Sequence, residues 1–271
     1  MFDCFGKDAC ELRTKKLWLF DMDGTIYEED RVFKGSVELL QNIVHYGGRY
    51  VFITNNSSKS VEDYLGKLKS LGIPADTDNF FTSAQAMCLY LKKNYNGKKI
   101  YCQGTRSFIE EFRKEGFDIT EDVERVDLVI AGYDTELTYL KLRKTCEILS
   151  TQDTGYFATN PDLRCPAGFG FVPDCGSICS MIEAATGRKP VYIGKPNASM
   201  VDIIRERYRY TKDETVVIGD RLYTDIALGV NAGVTSVCVL TGETKIEDLS
   251  NNGTIPDYVF HGIWEIKDCL I

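Results

Sequence analysis

The stretch LWLFDMDGT at residues 17–25 decides the fold of this chain. An apolar run stops at two carboxylates, Asp21 and Asp23, and the run predicts a buried strand. The period-2 spacing of an extended chain would put both carboxylates on the same side. Because like charges held that close repel each other, a cation, a shared proton or a hydrogen-bond network has to compensate. A strand that ends in this way is suited to metal-assisted chemistry.

Bulk composition narrows the class of protein. A chain of 271 residues predicts one large or two smaller domains. The formal net charge of −8 argues against a nucleic-acid polymer as partner. The N-terminus lacks the apolar segment of a signal peptide, and no apolar run is long enough to span a bilayer. The ten cysteines contain no C-x-x-C pair, which favours free thiols in a reducing compartment. We therefore expect a cytoplasmic protein without a membrane partner.

Apolar periodicity predicts alternating strands and helices. Strands are predicted at 17–21, 50–53, 99–102, 127–131, 156–159, 191–193, 215–220 and 235–240. Helices are predicted at 35–46, 60–71, 81–94, 105–115, 137–149, 176–186, 198–208 and 223–231. Alternation of this kind is typical of parallel strands joined by crossover helices. We predict an α/β fold: a Rossmann-like, doubly wound parallel sheet with an inserted α/β domain. Residues 1–15 are an N-terminal extension, 16–79 and 189–271 the main domain, and 80–188 the insertion.

Polar side chains follow four of the strands in the outer parts of the chain. They are Asp21 with Asp23, Thr54, Lys195, and Asp220 with Asp225. Ligands bind at the carboxyl ends of the strands in an open parallel sheet. If the four strands are neighbours, these carboxylates, the hydroxyl and the ammonium converge on one site. Taken singly, each has an ordinary structural explanation, such as a turn, a helix cap or a surface lysine.

These motifs resemble those of the haloacid dehalogenase superfamily of phosphohydrolases. The similarity consists of Asp-x-Asp-Gly-Thr at 21–25, a strand-end Thr54, Lys195 within Gly-Lys-Pro-Asn, and Gly-Asp-x-x-x-x-Asp at 219–225. All four occur in the family's order, and the resemblance covers roughly residues 16–265. The large insertion between the second and third motifs is similar to the α/β cap of the NagD type. The main domain would then be the family's core domain and residues 80–188 its cap.

The resemblance implies a Mg²⁺-dependent phosphatase acting on a small phosphorylated metabolite through an aspartyl-phosphate. Asp21 would be the nucleophile, and Asp23 would protonate the leaving oxygen and later take the proton from water. Asp21, the backbone carbonyl of Asp23, and Asp220 would hold the metal. Asp225 would act through water or support Lys195 and Asp220. Lys195 would balance the charge of the nucleophile and of the phosphoryl group.

The substrate-binding residues implied by the resemblance are less sharply defined. Thr54, Asn55, Asn56 and Lys195 would contact the phosphate end of the substrate. Asn160 in the cap either contacts the substrate or shapes a turn. Two other activities stay open: a phosphomutase, and a silent regulator that binds a phosphorylated metabolite without turnover. A homodimer formed through the cap is a further expectation, and the sequence does not identify the physiological substrate.

Overall fold

The computed structural model of the chain describes residues 1–58, 61–250 and 253–270. Of the predicted helix at 60–71, Ser60 lies outside these residues. Within the described part of the chain, no helix is both long and apolar enough to cross a membrane. All ten cysteines are free thiols, as their spacing predicts.

Strands and helices alternate along most of the chain, as the apolar patterns predict. Within the described residues the strands are β1 (Leu17–Phe20), β2 (Tyr27–Glu28), β3 (Arg31–Val32), β4 (Arg49–Thr54), β5 (Phe80–Thr82), β6 (Lys99–Gln103), β7 (Asp118–Thr120), β8 (Leu128–Ala131), β9 (Gly155–Ala158), β10 (Arg164–Ala167), β11 (Gly170–Pro173), β12 (Val191–Tyr192), β13 (Thr215–Gly219), β14 (Thr235–Val239) and β15 (Tyr258–Phe260). The α-helices there are α1 (Ser36–His45), α2 (Val61–Ser70), α3 (Ser83–Asn94), α4 (Arg106–Lys114), α5 (Tyr139–Thr151), α6 (Cys175–Thr186), α7 (Ser199–Tyr208) and α8 (Ala227–Ala232). A π-helical turn, Leu222–Ile226, comes directly before α8.

The chain forms two compact units, which we call unit 1 and unit 2. Unit 1 consists of Met1–Thr54, Val61–Phe81 and a C-terminal part that begins at Lys195. Unit 2 consists of Thr82–Gly194 and a short segment that begins at Asn55. The N-terminal residues belong to unit 1, where Leu12 is fully buried.

Unit 1 is built on a sheet with the strand order β15-β14-β13-β1-β4-β5. The pairs from β15 to β4 are all parallel. Leu17 of β1 is level with Thr215 of β13 on one side and with Arg49 of β4 on the other. All four residues of β1 are buried, because a central strand of a parallel sheet is covered on both faces. The opening apolar run therefore forms the middle of the sheet.

Helices cover both faces of this sheet. Trp18 of β1 packs in one buried cluster with Leu40 of α1 and Leu68 of α2. On the other face, a Cβ atom added at Gly229 of α8 would lie 3.5 Å from the Cβ of Val217 in β13. A glycine at that point lets the helix approach the sheet closely. The arrangement is the doubly wound α/β fold that the sequence predicts.

Unit 2 has its own parallel sheet, with the strand order β12-β9-β8-β6-β7. Its core contains Val129 of β8, Ile148 of α5, and Ile178 and Ile182 of α6. A separate antiparallel pair, β10 and β11, forms a hairpin. Near its tip Phe169 is 84% exposed, so the hairpin does not contribute that side chain to the core.

Several elements differ from the predictions. Residues 191–193 fall within the predicted main domain, yet β12 pairs with β9 in the sheet of unit 2. A strand of two residues carries no pattern that tells which sheet it joins. Phe81 belongs to β5 and not to a helix, because α3 begins at Ser83 after an N-cap. The side-chain oxygen of that cap, Thr82, accepts a hydrogen bond from the backbone N–H of Gln85 at 3.1 Å.

Candidate active site

Two carboxylates of unit 1 meet where β1 and β13 end. Asp21 follows β1, and its backbone N–H donates to the carbonyl of Ile218 at 2.9 Å, so the ladder reaches this residue. Asp220 follows β13 directly. Adjacent parallel strands end at the same edge of a sheet, and this topology brings the two carboxylates together. Single carboxylate oxygens of Asp21, Asp220 and Asp225 all lie within 4.8 Å of one another.

Asp225 reaches this group from the π-helical turn that follows β13. A Cβ atom added at Gly219 would lie only 2.3 Å from the Cβ of Asp225, so a residue without a side chain is required there. One Asp225 oxygen accepts a hydrogen bond from the backbone N–H of Arg221 at 3.2 Å. The Asp225 side chain is fully buried. Gly219 is therefore required because the side chain of Asp225 packs against it. Asp220 is at its position for a different reason, since it directly follows β13.

Lys195 supplies a buried positive charge to the same group. Its Nζ atom donates to Asp21 at 2.5 Å and to Asp225 at 2.6 Å, and the carbonyl oxygen of Ile53 lies 3.4 Å away. Burial by itself lowers the pKa of the Lys195 ammonium, but the charges of Asp21 and Asp225 outweigh burial and raise it above its usual range. The ammonium is therefore held in its charged form between the two carboxylates.

Backbone closely surrounds one carboxylate oxygen of Asp220. Its Oδ2 accepts a hydrogen bond from the N–H of Glu243 at 2.7 Å. Cβ atoms added at Gly24 and Gly242 would lie 2.7 Å and 2.0 Å from this same oxygen. The other oxygen, Oδ1, is buried and has no hydrogen-bond partner among the described residues. A buried carboxylate oxygen without a partner is costly, which indicates that a further group completes the site.

The electrostatics of Asp220 and Asp225 point to a cation. Burial, followed by the charges of Asp21 and Asp225, raises the pKa of Asp220 to about 7. Burial also raises the pKa of Asp225 to about 6, against the opposing effect of Lys195. Carboxylate oxygens fit a hard divalent cation such as Mg²⁺. Asp220 Oδ1, which has no hydrogen-bond partner among the described residues, is available to such an ion. The residues present therefore fit the Mg²⁺ ion that the resemblance implies.

Asp23 lies in a different environment from Asp21. Its side chain is 58% exposed, whereas that of Asp21 is 14% exposed. The Nζ atom of Lys67 in α2 lies 3.5 Å from one Asp23 oxygen, and the Tyr27 hydroxyl donates to the other at 3.4 Å. Burial is the main cause that raises the pKa of Tyr27, so its hydroxyl keeps the proton that it donates. The Asp23 side chain does not belong to the carboxylate group around Lys195.

Thr54 and the asparagines that follow it fall on opposite sides of the division into units. Thr54 is the buried last residue of β4 in unit 1. Asn55 and Asn56 belong to unit 2. The Asn56 side-chain oxygen accepts hydrogen bonds from the backbone N–H of Ser58 at 2.9 Å and from its hydroxyl at 2.7 Å. This pattern is a side-chain-stabilised turn.

A buried polar network in unit 2 engages two of the predicted substrate-binding residues. The side-chain amides of Asn55 and Asn160 both donate to Asp162 Oδ2, at 2.8 Å and 2.9 Å. Asn160 also donates to Asp174 at 3.1 Å and accepts a hydrogen bond from the Thr159 hydroxyl at 2.8 Å. Asn160 is fully buried. The network fixes the segment that begins at Asn55 to the interior of unit 2.

Sequence reasoning missed two charged groups, one beside the buried carboxylates and one beside Asp23. Arg221 lies beside Asp21, Asp220 and Asp225, whose charges raise the pKa of its guanidinium although burial opposes this. Its position inside the Gly-Asp-x-x-x-x-Asp motif was the signal available. Lys67 gave no signal, because a lysine in an amphipathic helix is ordinarily a solvated residue.

Comparisons with known proteins give the family. The family model described as haloacid dehalogenase-like hydrolase matches residues 18–118, and a related HAD-hydrolase-like model matches residues 192–266. All the motif residues fall within these two matches. Ribonucleotide monophosphatase NagD from Escherichia coli K12 is 32% identical over 253 residues, which are 93% of this chain and 98% of the relative. The chain belongs to the haloacid dehalogenase-like hydrolase family.

The NagD relative, together with solved structures of a putative NagD protein and of phosphatases, places this hydrolase in the NagD-like branch of the family. A 4-nitrophenylphosphatase from Thermotoga maritima is 41% identical, with a TM-score of 0.91 and coverage of 96% of this chain and 99% of the other. Glycerol phosphate phosphatase Rv1692 from Mycobacterium tuberculosis, solved in complex with magnesium, is 27% identical with a TM-score of 0.86. That match covers 93% of this chain and 76% of the other.

Proposed function

We propose that this chain is a Mg²⁺-dependent phosphatase that hydrolyses small phosphate monoesters through an aspartyl-phosphate on Asp21. The observation that carries the proposal is the convergence of Asp21, Lys195, Asp220 and Asp225 within unit 1. The phosphatase names of the relatives support the same reaction. A nucleotide, a sugar phosphate or a similar metabolite is the proposed class of substrate.

In this proposal the first half of the reaction transfers the phosphoryl group to the enzyme. A carboxylate oxygen of Asp21 attacks phosphorus while the bond from phosphorus to the ester oxygen breaks. Asp23 gives its proton to the departing alkoxide, which leaves as an alcohol. The contact of Lys195 with Asp21 holds the nucleophile in place and keeps a positive charge next to the transferred group.

The second half returns the enzyme to its starting state. Asp23, now a carboxylate, takes a proton from water, and the resulting hydroxide attacks phosphorus and releases Asp21 and inorganic phosphate. The 58% exposure of the Asp23 side chain suits a group that exchanges protons with substrate and water. The Tyr27 hydroxyl and Lys67 would orient its carboxylate.

Asp21, the backbone carbonyl of Asp23, and Asp220 would hold the metal. When bound, Mg²⁺ supplies charge neutralisation for the nucleophile and the phosphoryl oxygens. Asp225 would keep Lys195 in position, and the Thr54 hydroxyl would donate to a phosphoryl oxygen. For Asn55 and Asn160 we propose that the buried network of unit 2 positions the nearby backbone, and substrate contacts of Asn55, Asn56 and Asn160 stay predictions. The core and cap roles of the units, a cap-mediated homodimer and a cytoplasmic location also stay predictions.

Replacement of the nucleophile tests the reaction. Asp21→Asn keeps the size of the side chain but removes the attacking charge, so turnover of p-nitrophenylphosphate with Mg²⁺ should fall below detection. Asp30→Asn is the matched control, because Asp30 is an exposed carboxylate outside the group, and it should keep full activity. Substantial turnover by a correctly folded Asp21→Asn protein would contradict the mechanism.

A screen for released phosphate defines the substrate class. Nucleotides, sugar phosphates and phosphoglycolate should be tested with Mg²⁺ and again with EDTA, which should abolish release until Mg²⁺ is restored. Phosphate migration on a sugar phosphate without hydrolysis would instead identify a mutase. Tight phosphate binding without turnover across the panel would identify a regulator.

A further inference from the structure

β15 lies at one edge of the sheet of unit 1, where it pairs with β14 on one side only. The outer side of an edge strand presents backbone N–H and C=O groups that can pair with a strand of another molecule. The sequence of β15, Tyr258, Val259 and Phe260, consists of aromatic and β-branched residues, which favour strands. The partners of the outer backbone groups therefore decide whether this edge can extend.

The residues Met1–Asp8, which we call the N-terminal segment, bind the outer side of β15. The backbone N–H of Cys4 donates to the carbonyl of Val259 at 2.9 Å. In the other direction, the backbone N–H of Val259 donates to Asp3 Oδ2 at 3.2 Å. Both backbone groups of the central residue of β15 are thus bound by two successive residues of the N-terminal segment.

Further side chains bind the backbone on either side of Val259. Nζ of Lys7 donates to the carbonyl of Asp257 at 2.7 Å and lies 4.6 Å from the centre of the Tyr258 ring. Directly after β15, the backbone N–H of His261 donates to Glu265 Oε2 at 2.8 Å. The contacts to the outer side of β15 therefore extend over the full length of this short strand.

The N-terminal segment closes on itself and does not form a further strand of the sheet. The backbone N–H of Asp3 donates to the carbonyl of Lys7 at 3.0 Å, and the N–H of Gly6 donates to the carbonyl of Asp3 at 3.0 Å. Asp3 Oδ1 accepts from the backbone N–H groups of Phe5 at 2.9 Å and of Lys7 at 2.8 Å. Because these bonds close a turn, the segment offers no continuous ladder to another strand. It ends the sheet where a strand would extend it.

We propose that the N-terminal segment is an edge guard, which prevents β15 from pairing with β15 of a second copy of this chain. A second copy fits, because the outer sides of two β15 strands are identical and can pair about a twofold axis. Val259 would then offer both its N–H and its C=O, which are the groups that two residues of an antiparallel pair exchange. The proposal concerns unit 1 alone and does not depend on the phosphatase reaction.

Asp3→Asn in the full chain tests the guard. The carboxylate of Asp3 accepts from the turn with one oxygen and from Val259 with the other, whereas Asn has a single side-chain acceptor. In dilute protein, NMR should show the amide of Val259 exchanging its hydrogen at least about tenfold faster than in the wild type. Sedimentation should show association beyond the wild-type state that grows with protein concentration. The Val259 amide should regain protection over the same concentration range, because the new pairing covers it.

Asp8→Asn is the matched control, because Asp8 lies in the same segment and accepts from the backbone N–H of Cys10 at 3.0 Å. Within the described residues it makes no hydrogen bond to β15, and its variant should exchange and sediment as the wild type does. Lys7→Met removes the bond to Asp257 at an exposed position. It should increase exchange and association in the same direction as Asp3→Asn, and it gives a result even where Asp3→Asn does not fold.

Three outcomes would overturn the proposal. The first is unchanged exchange at Val259 in both Asp3→Asn and Lys7→Met. The second is faster exchange without added association, since the segment would then only stabilise the edge. The third is association that leaves the Val259 amide unprotected, because the second copy would then bind elsewhere.

Discussion

Replacement of Lys195 by Met should show how strongly the buried charges of the site depend on each other. Lys195 is 3% exposed and contacts two carboxylates, of which the Asp225 side chain is fully buried. Removal of one partner from a buried ion pair costs about 3–5 kcal/mol, because the other charge is left uncompensated. We expect a loss of this size in the free energy of unfolding at pH 8 in EDTA.

The double variant with Asp225→Asn separates this effect from lost packing. Asn keeps the shape of Asp225 but removes the charge that Lys195 compensates. The double variant should therefore be more stable than the sum of the two single changes predicts, by at least about 2 kcal/mol. The loss in Lys195→Met alone should shrink as the pH falls from 8 to 5, because Asp225 can then take up a proton.

Urea unfolding followed by tryptophan fluorescence measures these differences in stability in unit 1, the unit that contains Lys195. The chain has two tryptophans, Trp18 and Trp264, and both belong to unit 1. Lys16→Met is the matched control: Lys16 also lies 2.7 Å from a carboxylate, but its side chain is 56% exposed. Because this ion pair is exposed to solvent, the loss of Lys16 should leave the free energy of unfolding nearly unchanged. Additive effects of Lys195→Met and Asp225→Asn, within about 0.5 kcal/mol, would refute the reasoning.

Three further predictions concern the carboxylates and the backbone around them. Asp23→Asn should lower kcat at least about 100-fold, because a general acid is lost. Calorimetry should still show Mg²⁺ affinity within about threefold of wild type, and loss of Mg²⁺ binding would contradict the proposal that Asp23 reaches the metal only through its backbone carbonyl. Burial and neighbouring charges raise the pKa values of Asp220 and Asp225 in the folded state above the usual value of 3.8. Between about pH 7 and 4 the folded state then binds more protons than the unfolded state. In urea, the metal-free protein should therefore gain stability as the pH falls through this range. Mg²⁺ affinity should fall over the same range by up to about tenfold per pH unit for each proton displaced. A metal-free protein that loses stability between pH 7 and 5 would contradict the raised pKa values of Asp220 and Asp225. Gly242→Ala should weaken Mg²⁺ binding at least about tenfold, since its methyl group would lie 2.0 Å from Asp220 Oδ2. Gly66→Ala should bind Mg²⁺ normally, because the Cβ added at Gly66 meets no atom within 4 Å beyond the neighbouring backbone of its own helix.

The sequence predicted those elements whose apolar pattern is long and continuous. β1, β4 and β13 were identified because a strand covered on both faces is apolar at nearly every position. β15 was missed because three residues carry too little pattern. The β10–β11 hairpin was missed because exposed and half-exposed residues dominate β11. Local patterns thus identify buried elements and overlook short or exposed ones.

The order of the motifs along the chain predicted which residues form the site, but it did not predict the environment of each side chain. The structure brings together Asp21, Lys195, Asp220 and Asp225. Neighbouring parallel strand ends account for Asp21 and Asp220, whereas Lys195 follows a strand of the other sheet. The sequence could not show that Asp23 faces Lys67, because that contact depends on how α2 packs. Nor could it show that the side chain of Asn160 is enclosed in a buried network, since an asparagine next to a proline is equally typical of an exposed turn.

The central position of β1 also has a consequence for biosynthesis. β1 leaves the ribosome long before β13, which pairs with one of its edges and begins only at Thr215. All of unit 2 is synthesised in between. Until β13 emerges, the apolar run at residues 17–20 has an unpaired edge that can capture another nascent chain. Premature termination between Phe20 and Thr215 would therefore turn a fully buried strand of unit 1 into a site of aggregation.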